Sequence, residues 1–337
     1  MKSGSNLEEV LEAGRFAVTA EIGPPMSASA ETVKEKMEIL RGCADALNIT
    51  DCQTAVVRLS SIASAIMLIQ GGIEPVMQMT TRDRNRIAIQ ADILGAAAFG
   101  IQNCLCIAGD HQSFSAAGKL EGHAGATNVY DVDSIQLVAI LKKMRDEGLL
   151  EGGDPLEAAP KLFIGAAWTP MGDPVDFRVL RLGKKVAAGA DFIQTQGVYD
   201  VTQFAEIMKE VRNLGLHEKT AILPGIIVPR SAGMLRYMNQ SVPGIIVPEQ
   251  LIKRFPVVKK SASADEKKQA RAESAEIGKK IAVELIEQVR EIEGVRGVHI
   301  QAIEWEEAVP DIVEAAGLLP RPNLSADGGD APRSSAD

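Results

Sequence analysis

The segment VAAGADFIQTQGVYDVTQFAEIMKEVRNLGLHEKTAILPGIIV, residues 186–228, decides the fold. Phe192–Gln196 (FIQTQ) is short and bounded by turn residues, which predicts a strand. Val201–Leu214 repeats apolar residues at helical spacing, and Ala221–Val228 predicts the next strand. Strand, helix and strand in close succession make one β/α unit. The unit recurs outward in both directions. Strands are predicted at Phe16–Ile22, Ala46–Asp51, Glu74–Thr80, Gln102–Ala108 and Leu162–Ala167 before it, and at Gly297–Ile303 after it. Helices fall between them, among them 30–41 with Ser29 as its cap, 264–292, and 310–316 with a proline in its first turn. Eight strands alternating with helices predict an α/β fold of the (β/α)8 TIM-barrel type, one domain over residues 1–320. The competing doubly wound sheet would carry a glycine-rich phosphate turn after its first strand, where this chain has Gly23-Pro24-Pro25. Residues 321–337, RPNLSADGGDAPRSSAD, lack apolar periodicity and are expected to form a disordered tail.

The 337 residues are 46% hydrophobic but hold only 2 Trp, 3 Tyr and 8 Phe, so the core is built from Ala, Val, Ile and Leu. A net charge of −9, with no basic stripe, argues against a nucleic-acid partner. No apolar run is long enough to span a membrane, and MKSGSNLEEVLEAG has no signal-peptide core, so a cytoplasmic protein is expected. Cys43, Cys52, Cys104 and Cys106 match no zinc spacing and are read as reduced, buried thiols.

A barrel places its chemistry at the C-terminal ends of its strands. The polar residues there are Glu21, Asn48, Thr50, Asp51, Gln78, Thr80, Thr81, Asp110, His111, Gln194, Gln196, His299 and Gln301. Glu21, flanked by Ile22 and two prolines, suits a general acid with a raised pKa; the plainer reading pairs it with a lysine or arginine. Asp110 follows a glycine that lets backbone approach a ligand, or it caps a turn. The long loop 109–129 after it has the length of a binding loop. Its His111 and His123 lack a third ligand, so no metal is expected. Gln194 and Gln196 should face the same side of their strand, where amides read a heterocycle or bond loop backbone. His299 is read as a satisfied core or mouth histidine, and Lys184-Lys185 as a solvated pair or a phosphate contact.

Those strand-end residues carry a resemblance. TAEIGPP (19–25), IAGDH (107–111), GAAWTP (165–170), KKVAAGADFIQTQGVYD (184–200), ILPGIIV (222–228) and GVHIQAIEW (297–305) follow one another as in the methylenetetrahydrofolate reductases, which the chain resembles from about Phe16 to Leu318. The resemblance implies a flavin-dependent reduction of 5,10-methylenetetrahydrofolate to 5-methyltetrahydrofolate, with FAD as cofactor and FMN as the alternative. It implies that Glu21 protonates the folate and favours the iminium ion, and that hydride then passes from flavin N5. Asp110 would tune flavin and pterin, and Gln196 would bond the pterin with Gln194 nearby. Thr50, Gln78, Gly109, His111, Ala167, Trp168 and Lys185 fall at cofactor-contacting positions.

Three departures accompany it. The family's R-G-D reads Ala108-Gly109-Asp110, Gly23 stands where aromatics are common, and T-Q-F-F-F-D reads Thr195-Gln196-Gly197-Val198-Tyr199-Asp200. These are similar to the variants of acetogenic and related anaerobic bacteria. They imply a redox partner subunit, an iron–sulfur or zinc protein, in place of direct reduction by NADH, and they leave homo-oligomerisation open. Two other readings stand beside this one: a non-catalytic pterin-binding or docking barrel, and a pterin methyltransferase barrel without flavin.

Overall fold

The computed structural model describes residues 1–113, 115–116, 119–120, 122–258, 261 and 263–322. Eight parallel strands close into a barrel: β1 (Ala17–Ile22), β2 (Ala46–Ile49), β3 (Pro75–Thr80), β4 (Asn103–Ile107), β5 (Phe163–Trp168), β6 (Phe192–Gly197), β7 (Ala221–Ile227) and β8 (Gly297–Gln301). The seam is closed by β1 against β8, with Thr19 opposite His299. Helices α2 (Glu31–Leu40), α3 (Ser61–Gln70), α4 (Arg86–Ala98), α5 (Ser134–Asp146), α6 (Arg178–Ala188), α7 (Val201–Asn213), α8 (Ala232–Ser241), α9 (Glu249–Lys253), α10 (Ala264–Arg290) and α11 (Ala308–Ala315) follow the strands. The (β/α)8 barrel expected from the alternation is therefore the fold. Two two-residue strands, Ser115–Ala116 and Lys119–Leu120, lie in the long loop after β4. Among the described residues no helix is long and apolar enough to cross a membrane.

Alternation along the strands sorts side chains between two cores. Val18, Ala20 and Ile22, with Ile164 and Ala166, pack outward under the helices. Ala17, Ala46, Val76, Leu105, Phe163, Phe192 and Leu223 form a separate core with Leu7, Val10 and Leu11 of a short N-terminal helix, α1 (Asn6–Glu12). The rings of Phe163 and Phe192 stack there at 5.2 Å between centroids. Gly165 leaves them room, since a Cβ at that position would lie 2.2 Å from the Phe192 ring.

Helix α1 has no counterpart in the sequence reading. Its Ser5 hydroxyl accepts from Glu8 N at 3.2 Å, and the Glu74 carboxylate accepts from Asn6 N at 2.5 Å and Leu7 N at 3.0 Å. Those long-range acceptors satisfy a helix end that seven residues could not announce by periodicity. Ser29 acts one position earlier than expected: the cap residue of α2 is Ala30, and the Ser29 hydroxyl accepts from Glu31 N at 3.2 Å. The expected tail begins inside ordered structure, because Arg321 pairs with buried Asp45 at 2.7 Å and donates to the carbonyls of Phe16 and Leu318. Residues 323–337 of that tail lie outside the described residues.

Candidate active site

Above the apolar layer, the barrel interior turns polar. Gln194 exchanges two hydrogen bonds with Asn48, of 2.6 and 3.0 Å, and donates its second amide hydrogen to the Thr19 hydroxyl at 3.0 Å. Thr19 Oγ1 lies 3.0 Å from Nδ1 of His299. Nε2 of His299 faces the Glu21 carboxylate at 3.6 Å, and Gln78 donates to the same oxygen of Glu21 at 3.2 Å. Glu21 stands at the end of β1, its side chain 18% exposed, on a cavity of about 510 Å³ that Gly23, Pro24, Gln53, Thr54 and Ile303 also line. The plainer expectation, a lysine or arginine partner, is not met among the described residues. Of the nearby cations, Lys36 pairs with Glu306 at 2.5 Å and Arg58 donates to the Pro24 carbonyl at 3.3 Å.

The loops after β2, β3 and β4 knit into one platform beside that cavity. Gly109 has φ +86°, and a Cβ there would lie 3.0 Å from Thr80 Cγ2, so the turn before Asp110 requires glycine. Asp110 accepts from Thr54 N at 2.8 Å, and Thr50 donates to Gln53 at 2.8 Å. Cys52, Thr54 and Ala55 all have positive φ, a run of backbone strain of the kind that clusters at ligand sites. Sequence reasoning missed Arg82. Its guanidinium, buried and paired with Asp83 at 2.6 Å, donates to the carbonyls of Asp110 (3.0 Å) and Cys52 (3.2 Å). An arginine thus holds this turn from a neighbouring loop, although position 108 is alanine. Three acceptors are buried without a partner: Gln112 Oε1 and Asn128 Oδ1 in the loop after β4, and Gln301 Oε1 at the end of β8. His111 is exposed and accepts from Ser113 N at 3.2 Å. Among the described residues no cluster of His, Cys, Asp and Glu could hold a metal.

Four expected contacts lie elsewhere. Gln194 is buried one layer below the mouth with both amide ends engaged. Gln196 is half-buried at the mouth, but a register shift between Gln194 and Gly197 breaks the alternation that put both amides on one side; its Oε1 accepts from Gly197 N at 3.0 Å. Trp168 points outward, packed beneath the helices, and its indole donates to the Arg178 carbonyl at 2.9 Å. Lys185 on α6 donates to the Ala167 carbonyl, tying the helix to the end of β5, and burial holds its ammonium below the usual lysine range. Ala167 itself remains half-buried at the strand end.

The barrel and its mouth have recognisable relatives. Over 162 residues, 46% of this chain and 24% of the relative, the chain is 30% identical to methylenetetrahydrofolate reductase 1 of Schizosaccharomyces pombe. Over 174 residues it is 32% identical to methylenetetrahydrofolate reductase 2 of the same yeast, covering 25% of that protein. The matches thus span about a quarter of the length of these curated relatives. A Clostridium thermocellum protein whose structure binds two copies of 5-methyl-5,6,7,8-tetrahydrofolic acid shares the fold, with a TM-score of 0.58 and 17% identity over 91% of this chain and 97% of that one. The family model described as methylenetetrahydrofolate reductase matches residues 6–317, nearly the whole barrel, and the chain belongs to that family.

Proposed function

We propose that this barrel reduces 5,10-methylenetetrahydrofolate to 5-methyltetrahydrofolate. The observation that carries the reading is Glu21: a carboxyl at the mouth, free of any cationic partner among the described residues and oriented by Gln78 and His299. In this reading Glu21 gives its proton to the folate nitrogen as the bridging ring opens, and the enclosing barrel wall keeps bulk water from that proton. Gln196 and Gln301 lie at the same mouth, and the orphaned Gln301 oxygen suits an amino or ring N–H of the pterin. Flavin, as FAD or FMN, supplies the hydride when bound. The residues present fit it: the Gly109 turn admits close approach, the Gln112 and Asn128 acceptors await donors, and Asp110, Thr50 and Gln78 stand beside them.

The proposed electron source is a partner subunit carrying an iron–sulfur or zinc centre. Support comes from the T-Q segment: a Cβ on Gly197 would lie 2.6 Å from Ile227 Cδ1, and Val198 is buried in the outer core, so this segment offers no ring to stack a nicotinamide. The test is anaerobic stopped-flow spectroscopy of the purified protein. The reading expects flavin absorbance, fast reoxidation of reduced flavin by methylenetetrahydrofolate, and slow bleaching by NADH alone. A colourless protein that binds 5-methyltetrahydrofolate would instead support a pterin-binding or methyltransferase barrel.

A further inference from the structure

We propose that His299 is the positioning residue of Glu21, and that Thr19 lets its imidazole match both protonation states of that carboxyl. The inference rests on the reading of Glu21 as the acid. Its basis is hydrogen counting in a buried chain of neutral groups. The reciprocal bonds between Gln194 and Asn48 fix the Gln194 amide, so its remaining N–H must point at Thr19. Thr19 Oγ1 therefore already accepts one hydrogen and has one to give. Two acceptors compete for it: Nδ1 of His299 at 3.0 Å and the Val298 carbonyl at 3.3 Å.

Each choice fixes a tautomer. When Thr19 donates to Nδ1, the imidazole hydrogen sits on Nε2 and faces a Glu21 carboxylate. When Thr19 donates to Val298, Nδ1–H donates back to the Thr19 oxygen, and Nε2 turns a bare lone pair to a protonated Glu21. The imidazole keeps one proton in both states; the proton that leaves Glu21 goes to the folate nitrogen. The tautomers exchange by taking up one proton and releasing one. Glu21 can thus hold a proton and lose it without leaving a buried polar atom unpaired, a loss that would otherwise be costly. At 3.6 Å the His299–Glu21 contact is slightly longer than a hydrogen bond, as catalytic contacts are before substrate tightens them.

The test has a spectroscopic arm and a kinetic arm. The chain has 4 histidines, so the ring signals of His299 in ¹⁵N-histidine-labelled protein are assigned by their loss in His299→Gln. We expect a neutral ring whose Nδ1/Nε2 shift pattern changes in Glu21→Gln and again in Thr19→Val, while Thr19→Ser restores the wild-type pattern. A pattern unchanged in Glu21→Gln overturns the proposal whatever the activity. In single-turnover reoxidation by methylenetetrahydrofolate, His299→Gln should lower the rate about tenfold or more with little change in folate KM, since a small misplacement of a reacting group costs on that order. Full rate in His299→Gln beside a slowed Glu21→Gln overturns the positioning role and leaves the acid reading standing. Full rate in Glu21→Gln removes the acid reading itself. Should His299→Gln fail to fold, Thr19→Val against Thr19→Ser carries both arms.

Discussion

The two ends of one barrel interior are built from opposite chemistry. At the N-terminal end, Phe163, Phe192, Val76, Leu105 and Leu223 close on Leu7, Val10 and Leu11 of α1. One inward position higher, the same strands β1, β2, β3, β6 and β8 present Thr19, Asn48, Gln78, Gln194 and His299. The lower end needs no partner beyond itself, and it lowers the free energy by removing apolar area from water. The upper end is satisfied mostly by reciprocal bonds, and what it leaves unpaired, such as the Gln301 oxygen, faces the mouth. Barrel stability and barrel chemistry are thereby separated along the strand axis, so a substitution at one end should leave the other end's property intact.

The sharpest break of that separation would come at the top. Glu21→Gln should slow folate reduction by roughly 10² to 10⁴, the range for a lost general acid, while its unfolding midpoint in denaturant stays at the wild-type value. At the bottom the expectation reverses. Phe192 is fully buried against Phe163, so Phe192→Ala should cost about 3–5 kcal/mol in urea unfolding. Its folate KM should stay unchanged below the transition. A large KM change in Phe192→Ala would show that the two ends are coupled.

The asymmetry was only partly visible in the sequence. Strand alternation carried the eight-strand barrel, and each strand lies within two residues of its expected bounds because β/α units announce themselves locally. Glu21 and Gln78 were named, and they meet. The pairing of Glu21 with His299 was not legible, since it joins the first strand to the last and no local pattern reports barrel closure. Arg82 was invisible for a similar reason: its targets are carbonyls of two other loops. Trp168 differs, because the signal was present. Phe163 packs into the lower barrel core and Ala166 outward, so the two-residue period assigns Trp168 to the outer side. Gln196 fails the same rule because the bulge after Gln194 shifts the register.

A subtler cut at the lower end uses Gly165. Adding one methyl as Gly165→Ala forces the Phe192 ring to move, yet that ring is held by Phe163 and by full burial. Overpacking of this kind should cost about 1–3 kcal/mol, less than deleting the ring, with thermal unfolding as the measure. An unchanged melting temperature would mean that the lower core is loose enough to absorb a methyl.

The smallest effect concerns how α1 is clasped, and it depends on pH. Buried Glu8 accepts from the backbone of Lys2 at 2.5 Å, and from the backbones of Ser3 and Gly4 and the Ser3 hydroxyl at 2.8 Å. Burial alone would raise its carboxyl, but those donors outweigh it and hold the pKa below the usual 4.5. A carboxyl lowered in the folded state adds stability that is present above 4.5 and is lost as pH falls through the lowered value. Its neighbour on α1, Glu74, shifts the other way: burial raises its carboxyl despite donors from Asn6, Leu7 and Asn103. Glu74 therefore favours the fold at acid pH and opposes it as pH rises, so the wild-type acid curve mixes two opposite slopes. The difference between wild type and Glu8→Gln isolates one of them. In that variant the amide nitrogen must face an N–H, either that of Lys2 or those of Ser3 and Gly4, which should cost about 1 kcal/mol at neutral pH. The two melting curves should converge as pH is lowered beneath 4.5. Curves that stay parallel from pH 7 to pH 3 would show that the clasp holds without its charge.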